Sequence, residues 1–240
     1  MDLPGWQALR SELKPLGVEI VTVGLEMGGA DVLRPYIEDA APEHPSLVDQ
    51  AHVMDTLFGV TNIPESVWID ENGIIVRVRD AAVPPPVMRP NQDGVSEPYG
   101  LGGKYGFDAD RDAMRLRDWA AKGAASEYVL APDEVVARSV PRPIEVSLAA
   151  AHFELAQHQW RLEGFSDSAL RHFAEAHTLQ PDNITYKRQA YSAYRFGLGD
   201  GNEMSRFQQA PDEGEVWPFV SDFNTDTARF RTEREAQKQA

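Results

Sequence analysis

Pro84, Pro85, Pro86, Pro90 and Pro98, followed by Gly100, Gly102, Gly103 and Gly106, punctuate the stretch from Ala81 to Phe107. A proline lacks the backbone N–H and fixes φ, so this stretch cannot be a continuous helix or a central strand. The expectation is a long irregular connection that covers a sheet face, since connections of this length tend to be functional or unstructured. Regular structure must therefore be built on either side of it, and the two sides have different patterns.

On the N-terminal side, Trp6, Leu9, Leu13 and Leu16 recur at helical spacing within 4–16. Gly17 ends that helix before the apolar run 18–25, which reads as a buried strand. A second helical pattern (Val32, Leu33, Tyr36, Ile37) precedes the short segment Pro45–Asp49, and a third carries Val53, Met54, Leu57 and Phe58. The segment Gly59-Val60-Thr61-Asn62-Ile63-Pro64 then leads into two β-rich runs joined by Asp70-Glu71-Asn72-Gly73. Asn and Gly accept the positive φ of a tight turn, so these runs form a hairpin.

The ordered series over 4–79 resembles the ResA/TlpA-type thiol–disulfide oxidoreductases and related redoxins. It implies an α/β, thioredoxin-like fold. In that family the proline after the Gly-Val segment is a cis-proline facing the active-site thiol, so the resemblance places Ile63 and Pro64 against a substrate sulfur. A trans-proline at the first residue of a strand is the alternative. Glu26, just after the strand at 18–25, lies near the family's acidic residue beside the active site, where it would tune a thiol or selenol. As a plain sequence feature it begins a loop and caps the next helix.

The resemblance also implies what these residues do not contain. The family's central strand and nucleophile motif precede the helix at 4–16, and a thiolate is favoured at such a helix N-terminus. Here that terminus carries Met1, Asp2 and Leu3, and the chain has no cysteine. The strands at 18–25 and 66–70 would flank the missing strand, leaving unpaired edges between them unless the sheet is rearranged. One expectation is a misplaced start, with the strand and a Cys or UGA-encoded selenocysteine upstream. The other is a shortened, redox-inert relative that binds a protein partner. On either account this chain alone is expected to be inactive in disulfide exchange.

The formal charge of −15 and pI near 4.8 argue against nucleic acid, whose phosphates need clustered Lys and Arg. No apolar run approaches the length of a membrane span, and the start lacks a basic segment followed by an apolar one. A cytoplasmic location is therefore expected of the chain as written, and an extracytoplasmic one if an N-terminal segment is missing. Without cysteine the chain has neither disulfides nor thiolate metal sites. No cofactor is implied, and the partner class is a protein substrate or redox partner. The run Tyr99–Gly106 fails the phosphate-loop spacing, because no Ser or Thr follows Lys104. It reads as a flexible turn.

After the insert, Asp108–Ala121 has the pattern of an amphipathic helix capped by Asp108 or Asp110. It is expected to close a domain spanning 1–125, which includes the insert at 81–107. A helical region follows over 126–200, then a polar tail over 201–240 anchored locally at 216–220 and ending in a frayed helix. Helices are expected at Ser147–Glu163, Asp167–Leu179 and Asn183–Arg195. Trp160, Ala169, Phe173, Ala176 and Pro181 fall at the spacing of a tetratricopeptide repeat. With no second full copy, a single hairpin packed on the α/β domain is expected; a peptide-binding superhelix is the alternative.

The six histidines are His44, His52, His152, His158, His172 and His177. The spacings 152/158 and 172/177 are not the i, i+4 of a metal-binding helix, so these residues read as surface or packing histidines. There is no Gly-x-Ser-x-Gly nucleophile elbow.

Overall fold

The computed structural model describes residues 2–102, 107–139, 142–197, 211, 213–226 and 228–229. The expectations for the full run 99–106, the start of the tail and its terminal helix fall partly or wholly outside these residues. The chain is mixed α/β and divides into two compact units. One comprises residues 1–25, 33–49 and 53–141; the other comprises 26–32, 50–52 and 142–240. The boundary thus falls between 141 and 142, where the sequence pattern pointed to 125 and 126.

In the first unit, α1 (Leu3–Leu13) tightens into a 3₁₀ turn at Lys14–Leu16 and stops at Gly17, whose φ of 90° is left-handed. β1 (Thr22–Leu25) pairs in parallel with β2 (Ser46–Asp49), connected through α2 (Ala30–Ala40). After α3 (Val53–Phe58), β3 (Glu65–Ile69) and β4 (Ile75–Ala81) form an antiparallel hairpin. Asp70 sets its turn, Oδ1 accepting from Asn72 N at 2.9 Å and Ile74 N at 2.8 Å, with Gly73 at φ 79°.

The strand expected over 18–25 is four residues long. A strand exists only where it has a partner, and β1 has one neighbour offering four residues, so 18–21 stay unpaired. Val18 and Ile20 instead pack beside the core of this unit. Among the described residues β1 and β3 are not hydrogen-bonded neighbours, so direct pairing does not join the two sheets.

The irregular connection expected over 81–107 contains a third hairpin, β5 (Val87–Pro90) with β6 (Ser96–Tyr99). Asn91 N donates to Val95 O at 2.8 Å, and Asn91 Oδ1 accepts from Asp93 N and Val95 N. Hydrogen-bonded and open pairs alternate along an antiparallel ladder. The next bonded pairs are therefore Arg89–Glu97 and Val87–Tyr99, while Pro90 and Pro98 occupy the open pairs. Both prolines sit where no ladder N–H is required, which is how a proline-rich segment can pair at all.

α4 (Ala109–Lys122) starts at Asp108, whose Oδ1 accepts from Arg111 N at 3.0 Å. Its Ala113 and Leu116 meet Leu9 and Leu13 of α1 and Trp68 of β3 in one buried cluster. Trp119 stacks on Trp68 with centroids 5.0 Å apart and planes at 15°. α5 (Pro132–Arg138) belongs to the same unit, and just before it Leu130 N donates to Val76 O at 2.8 Å.

The second unit is built on α6 (Ile144–Glu163), α7 (Asp167–Leu179) and α8 (Ile184–Phe196). Ser166 caps α7 through Ala169 N, and Asn183 caps α8 through Tyr186 N. Ala149, Ala156, Ala169 and Ala176 are fully buried, and these small side chains let the helices approach. Phe153 fills the space between them, stacked on Tyr186 at 4.0 Å and edge-on to Phe173 at 5.7 Å. Met27 and His52, from the two short segments of this unit, complete the packing, His52 lying edge-on to Phe153 at 5.0 Å. In the tail, Trp217 and Phe219 pack on Tyr191, and buried Asp226 accepts from Lys187 Nζ at 2.7 Å.

Candidate functional site

Two of the three residues singled out by sequence, Ile63 and Pro64, lie at the entry to β3. Asp49 at the end of β2 accepts from Met54 N at 2.6 Å and so fixes the start of α3. Val60 N returns to Asp55 O at 3.0 Å, and Asn62 Oδ1 accepts from Ile63 N at 2.9 Å. The chain then enters β3 through an Ile63–Pro64 peptide that is cis. Pro64 O accepts from Ala82 N at 3.4 Å, placing the proline just before the first paired residue of the β3–β4 ladder. Ile63 and Pro64 are adjacent and half-buried.

Glu26 is elsewhere. It belongs to the second unit, where Oε1 accepts from Gly28 N at 2.9 Å and Oε2 from Gln189 Nε2 at 3.4 Å. It closes its own loop, with Gly29 N donating to its carbonyl. Its loop is tied further to α8 by Met27 N donating to Gln189 Oε1 at 2.8 Å.

Glu65, directly after Pro64, is a residue the sequence did not single out. Its side chain is 12% exposed, Oε1 faces Arg79 Nη1 at 3.3 Å, and Oε2 has no hydrogen-bond partner among the described residues. Burial pushes its carboxyl up to about 7; Arg79 opposes the shift, while Asp80 and Asp55 add to it. A carboxyl that titrates near neutrality holds or releases a proton under ordinary conditions, which suits it to proton transfer beside a reacting group. The signal was not in the local sequence, because the burial comes from elements distant along the chain.

The opposite side of the hairpin is occupied by a charge cluster. Arg77 donates to Asp80 at 2.6 Å and to Tyr128 O at 3.0 Å, and lies 5.3 Å from the Trp68 ring. Asp112 accepts from Val83 N at 3.2 Å, with Arg115 3.5 Å from Asp80. Those contacts read as a clamp between β4 and α4, with the Arg115 Nε left buried and without a hydrogen-bond partner among the described residues. The surface depression of about 460 Å³ on the β5–β6 hairpin lies apart, and its Arg89 is engaged by Asp39 at 2.6 Å.

Among the described residues no three His, Cys, Asp or Glu side chains gather to hold a metal ion, and no helix is long and apolar enough to cross a membrane. Comparison with protein-family models, with curated proteins and with solved structures finds no match to this chain.

Proposed function

We propose that this chain is a thioredoxin-like relative of the thiol–disulfide oxidoreductases which, in these 240 residues, binds an extended polypeptide segment rather than exchanging disulfides. Disulfide exchange starts from a thiolate, and the chain has no cysteine. The element order, the parallel β1–β2 pair and the antiparallel β3–β4 hairpin are compatible with such a scaffold.

The observation that carries the binding role is that, among the described residues, β1 shares a sheet with β2 alone. Thr22 N donates to Pro45 O at 3.0 Å, so alternation directs the backbone groups of Val23 away from β2. A strand edge of this kind takes an added strand through main-chain hydrogen bonds, with neighbouring side chains supplying specificity. In this reading Ile63 and Pro64 contact the bound segment, and Glu65 holds a proton beside it.

The test is amide hydrogen exchange on the purified chain with and without an alternating Val–Thr heptapeptide. Protection of the Val23 amide on addition, with the amides of α7 unchanged, is the expected result. Unchanged exchange at β1 across the titration sinks the reading. A parallel insulin-reduction assay is expected to give no turnover above the reductant blank.

A further inference from the structure

Sequence spacing along single helices separates the histidines, but the α6–α7 hairpin brings two of them together. His152 and His172 each precede by one residue a phenylalanine of the helical core, Phe153 or Phe173. Stacking those phenylalanines across the hairpin therefore sets the two imidazoles on a common flank. Their Nδ1 atoms are 2.8 Å apart, the ring centroids 5.0 Å, and both side chains are partly open to solvent.

A neutral imidazole carries one N–H and one lone pair, so a direct contact needs one ring to adopt the Nδ1–H tautomer. When both rings carry the proton on Nε2, two lone pairs face each other at close range. When both are protonated, two cations do. Only one of these pairings is favourable without a third party, and a cation between the lone pairs converts the second into a ligand set. Burial, then His152 and Arg171, pull the His172 pKa down, which keeps its lone pair available at neutral pH, while Glu175 acts in the opposite sense.

We propose that His152 and His172 form an interhelical site for a divalent transition-metal ion of the zinc class, bound through the two Nδ1 atoms. Imidazole nitrogen is a preferred donor for Zn, Ni and Cu ions. Two nitrogens on a tetrahedral ion at about 2.05 Å stand roughly 3.3 Å apart, so the pair must open by about half an ångström and both rings must turn from their nearly head-on contact so that the lone pairs converge on the ion. The remaining positions fall to water, with Glu175, exposed and three residues beyond His172, as the nearest carboxylate on the same helix face. The bound ion cross-links α6 to α7.

The experiment is thermal unfolding of the full chain with and without ZnCl2 at about pH 7.5 and again at about pH 5.5, where histidine protonation competes. Imidazole ¹⁵N NMR of the wild-type chain accompanies it. Binding to the folded state alone raises the Tm. The expected result is a Tm increase at the higher pH only, a coordination shift at the Nδ1 resonances of His152 and His172, and loss of the Tm increase in H152Q and in H172Q. Far-UV circular dichroism checks that both variants fold, and the wild-type NMR result stands without them. Unshifted Nδ1 resonances overturn the site, as does a Tm increase that survives in the double variant, which would place the ion on other histidines.

Discussion

β1 buries none of its four residues completely, whereas α7, with thirteen residues, buries Ala169, Phe173, Ala176 and His177. The difference follows from where the backbone hydrogen bonds go. A helix satisfies its own N–H and C=O groups and needs neighbours only for its apolar stripe. A strand needs a neighbour for the backbone itself, and among the described residues β1 has β2 alone. Unit two closes a core of Ala149, Phe153, Ala156, Phe173, Tyr186 and Ala190 from its helices, and in unit one the buried core is again mostly helical, from Leu9, Leu13, Ala113 and Leu116 with Trp68, while Leu47 and Ile69 on its strands stay about half exposed. The helices carry the packing, and the strands depend on pairing.

If that contrast holds, the largest losses come from the helical core. Phe153→Ala removes a side chain 1% exposed that touches Tyr186, Phe173 and His52. Its cost is expected at about 4 kcal/mol by denaturant unfolding followed in the far ultraviolet. A loss below about 1 kcal/mol would mean the helices are not held by this core. The second test is the buried ion pair of Lys187 and Asp226, whose side chains are 4% and 2% exposed. Asp226 also accepts from Ser221 Oγ at 3.0 Å and Tyr191 Oη at 3.4 Å, so it joins the tail to α8. Asp226→Ala strands the ammonium in an apolar setting and is expected to cost about 3 kcal/mol, whereas the double replacement K187M/D226L is expected near neutral. Equal losses in the single and double variants would show that the pair contributes net stability beyond cancelling its own desolvation.

The same division governs what the sequence revealed. α7 matches its expected range of Asp167–Leu179, and α8 begins one residue after the expected start, Asn183, which caps it, because periodicity and capping are local. α6 starts at Ile144, three residues before the expected Ser147, since Pro143 preceding it is as good a boundary as the serine. β1 is shorter than its apolar run because pairing is not local. The β5–β6 hairpin was hidden by its prolines, although Asn91-Gln92-Asp93-Gly94 is a turn sequence and Pro90 and Pro98 share the open phase of the ladder. At the candidate site, the cis geometry of the Ile63–Pro64 bond was legible through an ordered motif. Glu65 was not, since its environment is assembled from Arg79, Asp80 and Asp55. The His152–His172 contact was invisible to any single-helix spacing for the same reason.

Glu65 offers the finest probe of the strand-built region, because its charge reports on how closely the β3–β4 hairpin is covered. Its carboxyl is raised by burial from 4.5 to about 7. Between those two values the folded chain binds more protons than the unfolded chain. The benefit of burying the neutral acid is thus complete below pH 4.5 and is lost as the pH rises through about 7. Wild-type stability is expected to fall by roughly 3 kcal/mol across that window, the opposing effect of Arg79 being contained in the shift. Glu65→Gln keeps the contact with Arg79 without the titrating proton. It is expected to flatten that component of the pH profile and to gain roughly 3 kcal/mol above pH 7 relative to wild type, with little change at low pH. Urea unfolding at a series of pH values separates the two chains. Parallel profiles would mean that Glu65 is solvated in the folded state and that the entry to β3 is more open than its 12% exposure indicates. A peptide that adds to β1 and shields the entry to β3 would push the Glu65 pKa higher still, and the pH window of the difference between E65Q and wild type would move upward with it.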